Sequence, residues 1–158
     1  MKTAQQWIEQ LDMSPHPEGG YYREMERSDN TFEHDSKSLP QYTTIYFLLT
    51  AENPSRLHQL SSDEIWFFHD GNPLTVHSIS PDGEYKKEEI GPDSKLQHTV
   101  AAGDIFGSSV EKGYALVSCA VVPGFDFSNF RLFTQEELVE QFPSHEGIIR
   151  RLAYESLD

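Results

Sequence analysis

The residues best placed for chemistry lie between His58 and Gly71, in the segment HQLSSDEIWFFHDG. A histidine is followed by an acidic pair, Asp63-Glu64, and then by a run of aromatic residues. The run has the composition of a β-strand, in which alternate side chains share a face, so Glu64, Trp66 and Phe68 point the same way. A carboxylate held among bulky aromatics on the inner face of a sheet is costly to bury. It needs a hydrogen-bond partner, a cation or a proton. That demand opens three chemistries at His58 and Glu64: a buried structural hydrogen bond, a metal site, or proton transfer.

Other residues extend this centre. The turn PHPEGG places His16 and Glu18 beside two glycines that let the backbone approach a ligand, and it can equally serve as a tight turn that locks a helix onto the fold. Arg23, if it faces inward, would grip a carboxylate or phosphate with its planar fork; facing outward it would pair with a surface acid. Trp66 and Phe68 are both placed to stack on a flat ligand, Trp66 as the better pocket residue and Phe68 with core packing as its stronger reading. The block PGFDFSNF, with Phe125, Phe127 and Phe130, reads as a turn that seals one end of the fold or builds a dimer surface, with Asp126 capping local backbone.

The elements that must position these groups are mostly strands. Thr3 to Leu11 reads as a short helix with Thr3 as N-cap, ended by Pro15 and Pro17. Tyr21–Met25 is expected as a strand and 30–40 as a patternless loop. From Thr43 the chain alternates strand and turn: 43–50, 55–60, 64–69, 74–80, 85–90, 96–100, 104–110 and 114–122. Short strands at this spacing indicate an all-β sandwich or barrel. Thr134 opens a helix, because TQEE is a capping box, and a second short helix is expected over 146–154.

Bulk properties narrow the class. The 158 residues carry 12 basic and 26 acidic side chains, a formal charge of −14. Such a chain repels nucleic acid and anionic membrane surfaces. Cys119 is the only cysteine and lies in the apolar run ALVSCAVV, so it reads as buried and no intrachain disulfide can form. With no signal-like N-terminus and no long apolar segment, a cytoplasmic protein is expected.

The spacing of His58, Glu64 and Gly71 resembles the first motif of the cupin superfamily, His-x-His, three or four residues, Glu, six residues, Gly. Leu60 stands where the second histidine belongs. Ala101-Ala102-Gly103 echoes the second motif, with Phe106 in its histidine position. PHPEGGYYRE, SSDEIWFFHDGNPL and VSCAVVPGFDFSNFRL resemble blocks of an uncharacterised cupin subfamily known as a domain of unknown function. The resemblance implies a double-stranded β-helix, or jelly-roll, barrel with short helices at both ends of the chain, usually a homodimer with a ligand cavity inside. The expected layout is one domain over 1–158: helix, turn and strand in 1–42, barrel core in 43–132, helices in 133–158.

Two of the four usual metal ligands are missing, so a divalent metal would rest on His58 and Glu64 alone, a weak and water-rich site. No other cofactor is implied. Some cupins, sugar-nucleotide 3,5-epimerases among them, work without metal through a histidine base, an orienting carboxylate and a tyrosine acid. That likeness implies His58 as base, Glu64 or Asp63 as the orienting group, and Tyr46 or Tyr22 as acid. It points to an isomerase or epimerase acting on a small polar keto-sugar or keto acid. The alternatives are a non-catalytic binding or sensing module and a metal-dependent enzyme with nonstandard ligands.

Overall fold

A computed structural model describes all residues, 1–158. In chain order the elements are α1 (Ala4–Gln10), β1 (Ser14–Pro15), β2 (Tyr21–Arg27), β3 (Thr31–His34), β4 (Lys37–Pro40), β5 (Thr43–Thr50), β6 (Ser55–Leu60) and β7 (Asp63–Gly71). There follow β8 (Leu74–Ile79), β9 (Tyr85–Ile90), β10 (Gln97–Val100), β11 (Ile105–Val110), β12 (Tyr114–Val122), β13 (Phe130–Leu132), α2 (Gln135–Gln141) and α3 (Glu146–Leu152). A six-stranded sheet runs β1-β2-β5-β12-β7-β10 and a five-stranded sheet runs β13-β6-β11-β8-β9. The strands of both pair antiparallel. Two such sheets face to face form the jelly roll.

Three apolar layers hold it together. Between the sheets lie Phe47, Leu49, Trp66, Val76, Phe106, Val117 and Val121, all buried. Outside the five-stranded sheet, Leu57, Ile79 and Ile105 pack against Leu138, Ile149 and Leu152 of α2 and α3. Outside the six-stranded sheet, Leu48 and Leu116 lie under α1, with Trp7, Ile8 and Tyr46 closing over them. A sheet covered on both faces is apolar on both, which is why β5 and β12 read as nearly continuous apolar runs, Ser118 being the one interior break.

The helix ends follow their capping chemistry. The Thr3 hydroxyl accepts from the Gln6 amide and the Thr134 hydroxyl from the Glu137 amide, and in each case the N3 side chain bonds back to the cap.

Two expectations need correction. Residues 31–40 form a hairpin, β3 paired with β4, rather than a loop. Its turn residues Asp35 and Ser36 both have positive φ, 50° and 64°. Such a mirror-image turn is usually signalled by Asn-Gly or Asp-Gly, and Asp-Ser gives no such signal. The barrel wall also begins before residue 43, since β2 pairs with β5 over Tyr21–Arg27.

Candidate functional site

A cavity of about 250 Å³ opens between the sheets. The buried side chains His16, Glu18 and Glu64 line its deep end. Tyr22, Ile45, Leu60 and Val121 form the walls, and Glu24, Arg27, Asp126 and Phe127 stand at the mouth.

Loop 16–20 carries two of these groups and is fixed at several points. The His16 amide donates to the Gly20 carbonyl at 3.0 Å and the Gly19 amide to the His16 carbonyl at 2.9 Å. The Arg56 amide donates to the Glu18 carbonyl at 2.6 Å, docking the loop on β6. The Tyr154 hydroxyl donates to the Pro17 carbonyl at 3.0 Å, a contact 137 residues apart in sequence. Gly20 has φ 73°, and a Cβ there would lie 2.5 Å from Leu49 Cδ2 and 2.8 Å from the Leu48 carbonyl oxygen. Only glycine fits so close to β5.

The carboxyl of Glu18 accepts from the Ser55 hydroxyl, and its Oε2 lies 3.4 Å from His58 Nδ1. His58 Nδ1 donates to the Arg56 carbonyl at 2.7 Å, which fixes the proton on that nitrogen when the ring is neutral. The ring packs on Phe106 and Phe130, with centroids 4.2 Å and 5.4 Å away. His16 Nδ1 accepts the Glu18 amide at 3.1 Å. Five aromatic rings surround the His16 imidazole, the nearest being Tyr22 at 4.6 Å.

This setting neutralises the titratable groups. Burial raises Glu18 to about 8, against a smaller downward pull from Ser55. Burial likewise raises Glu64 to about 8, and the neighbouring Glu18 carboxyl adds to the rise. His58 and the nearby Trp66 indole act on Glu64 in the opposite direction. Burial lowers His16 to about 3, with His58 adding to it, and burial also lowers His58. One Glu64 oxygen, Oε2, and the Trp66 indole nitrogen have no hydrogen-bond partner within the protein.

The expected site residues divide cleanly. His16, Glu18, Tyr22 and Glu64 meet at the cavity. His58 is close enough to act on Glu64 electrostatically, but the two make no hydrogen bond or ion pair, and His58 lies behind the lining. Trp66 and Phe68 are corrected: both pack into the core between the sheets and neither lines the cavity. Tyr46 is corrected too, because it points to the outer face of β5, against the α1 layer and 5.8 Å from the His69 ring. Arg23 also faces out, held by Asp12 at 2.9 Å.

Sequence reasoning missed the mouth. A bulge in β2 between Glu24 and Glu26 returns Arg27 to the face of Tyr22 and Glu24. Arg27 is then engaged by Glu24 at 2.6 Å. In the turn after β12, Asp126 caps the Ser128 amide as expected, yet it also reaches the cavity with Phe125 and Phe127. Only the three closely spaced phenylalanines hinted at this in the sequence.

The donor set does not fit a metal ion. Leu60 and Phe106 occupy two of the motif's four ligand positions, and Phe106 stacks on His58 instead. No three His, Cys, Asp or Glu side chains converge closely enough to hold a cation.

Comparison with known proteins agrees with this architecture. Residues 5–133 match the family described as Cupin superfamily (DUF985). A hypothetical protein from Leishmania major superposes with a TM-score of 0.93 at 43% identity, covering 97% of this chain and 99% of that one. Protein SO0799 from Shewanella oneidensis gives a TM-score of 0.92 at 38% identity, covering 99% and 100%. The uncharacterised protein YML079W of Saccharomyces cerevisiae is 30% identical over 157 residues, 85% of this chain and 77% of that protein.

Proposed function

The chain belongs to the cupin superfamily through its DUF985 family, and on that premise we propose that it binds a small polar molecule in the cavity and moves a proton on it without metal, as an isomerase or epimerase. The observation that carries this reading is the pair of carboxyls, Glu18 and Glu64, at the deep end of one cavity, both raised to about 8.

Two interacting acids of this kind titrate as a pair, so as the pH approaches 8 one proton is lost while the other is kept. The site then holds a base and an acid together, each tuned near working pH. The ionised carboxylate takes the proton from the carbon next to a carbonyl. The electron pair of that C–H bond moves into an enediol, and the protonated carboxyl gives its proton to the carbonyl oxygen. Return of a proton to carbon, on the opposite face or at the adjacent atom, while an enediol hydroxyl gives its proton back to the carboxylate that donated it, re-forms a carbonyl and yields the isomer with no net oxidation. Glu64 lines the cavity without a hydrogen bond such as the one Ser55 gives Glu18, and is the stronger candidate for the group that touches carbon. His58 is a positioning residue: its neutral ring, with Nδ1 3.4 Å from Glu18 Oε2, supports Glu18 from behind.

The mouth selects the substrate class. Glu24 and Asp126 are acidic, and the single cation, Arg27, is already engaged by Glu24. An uncharged hydroxy-carbonyl compound of sugar type suits this entrance better than a keto acid or a phosphorylated sugar.

The test is deuterium wash-in from D2O, followed by NMR, over a panel of unphosphorylated aldoses and ketoses. Exchange next to the carbonyl that falls at least ~100-fold in Glu64→Gln supports the reading. Binding without exchange reassigns the chain to a non-catalytic binding or sensing module. Exchange unaffected by Glu64→Gln removes Glu64 from the chemistry.

A further inference from the structure

We propose a second binding site on the outer face of the five-stranded sheet, beneath α3, for a small molecule bearing a carboxylate or phosphate group. A cleft of about 410 Å³ there is lined by His77, Ser109, Arg151 and Glu111, with Pro54 and Ile148 as apolar walls.

Two of the lining side chains, His77 and Ser109, form one hydrogen-bonded chain with Tyr85 behind them. His77 Nδ1 lies 2.7 Å from the Tyr85 hydroxyl and His77 Nε2 lies 2.9 Å from Ser109 Oγ. His77 is 6% exposed. A neutral imidazole carries one proton, so it donates at one nitrogen and accepts at the other. If Tyr85 donates to Nδ1, the Nε2–H donates to Ser109 Oγ, and the Ser109 proton is left free to point into the cleft. Each bond in such a chain polarises the next, so the serine hydroxyl becomes a strengthened donor.

A cation completes the site. Of the six arginines, five are engaged: Arg23, Arg27, Arg131 and Arg150 with carboxylates, and Arg56 with the Pro54 carbonyl and the Tyr154 ring. Arg151 alone makes no ion pair or hydrogen bond, although the chain has 26 acidic side chains. Its charge, with that of Lys87, is felt at His77. A free guanidinium beside an outward hydroxyl donor is an oxyanion cradle. Glu111, exposed on the same wall, is the one opposing charge.

The site stands apart from the cavity between the sheets and shares no lining residue with it. Gly107 helps to shape it, since a Cβ there would lie 2.6 Å from the Ser55 carbonyl oxygen and 3.1 Å from Leu152 Cδ2. Glycine lets α3 settle close to the sheet and roof one end of the cleft.

The experiment is a 1H–15N NMR titration of the His77 ring in the full chain, first with inorganic phosphate and then with acetate. The expected result is a protonated Nε2, an unprotonated Nδ1, and saturable shifts at millimolar anion. Which of the two anions saturates tells phosphate from carboxylate. Arg151→Gln, a surface change that leaves the fold intact, should weaken binding at least about tenfold, and Ser109→Ala should weaken it severalfold. The proposal is overturned if neither anion gives a saturable shift, if the shifts survive Arg151→Gln, or if the ring proton sits on Nδ1.

Discussion

His58 and His77 lie on opposite faces of the same five-stranded sheet, and their surroundings are opposites. Burial lowers both imidazoles. Inside the barrel the neighbours of His58 are the carboxyls Glu18 and Glu64. Outside it, the charges that act on His77 are Arg151 and Lys87, and His77 is lowered to about 4. The comparison separates two effects that are easily confused. Desolvation decides that each ring is neutral, and the sign of the surrounding charge decides what a neutral ring serves. The inner ring backs a pair of acids; the outer ring passes a hydrogen bond toward an unpaired cation.

The sharpest way to break this contrast is Glu64→Gln, which should lower proton exchange at least ~100-fold while leaving thermal unfolding near that of the parent chain. If exchange and folding fall together, the residue is a structural one. Next in size is Trp66→Ala. Trp66 is 1% exposed at the centre of the core, so truncation should cost about 3–5 kcal/mol in denaturant unfolding. A cost near zero would mean that the inner wall is not packed as described.

The pH dependence of stability should show both faces at once. Glu18 and Glu64 are raised from 4.5 to about 8, so the folded chain holds protons that the unfolded chain has released. Their contribution is full below about 4.5 and is lost as pH rises through about 8. His16 and His77 are lowered from 6.5 to about 3 and about 4, so their contribution is full above 6.5 and is lost as pH falls through those values. Denaturant midpoints measured across pH should therefore peak between the two limbs. Glu64→Gln should flatten the alkaline limb and His77→Gln the acid limb. Each variant flattening the other's limb would refute the assignment.

The smallest expected effect is at Arg23, which pairs with Asp12 on the surface. Arg23→Ala should change stability by no more than about 0.5 kcal/mol and leave exchange untouched. A loss of exchange would return Arg23 to the site.

Much of the frame was legible in the sequence. β5, β6, β9 and β12 begin and end where alternation and turn residues put them. Motif spacing led to His58 and Glu64, and the PHPEGG block led to His16 and Glu18. Facing was harder. In β5 the inner Ile45 and Phe47 and the outer Tyr46 and Leu48 are all apolar, because α1 covers the outer side. Period-two patterning cannot name the inside of a strand buried on both faces, and Tyr46 was misassigned for that reason. Arg27 escaped because a bulge shifts the alternation by one residue, and a bulge leaves no composition of its own.

The tie between Tyr154 and Pro17 bears on how the protein folds. The same tyrosine ring lies under the Arg56 guanidinium, 4.9 Å from it, and the Tyr154 carbonyl accepts the Gln135 amide. Glu18 is thus held in place by residues that are synthesised at opposite ends of the chain. Closing so long a loop is entropically late work. The barrel is expected to assemble first and the proton-carrying loop to set last, so recovery of exchange on refolding should lag recovery of β-sheet signal.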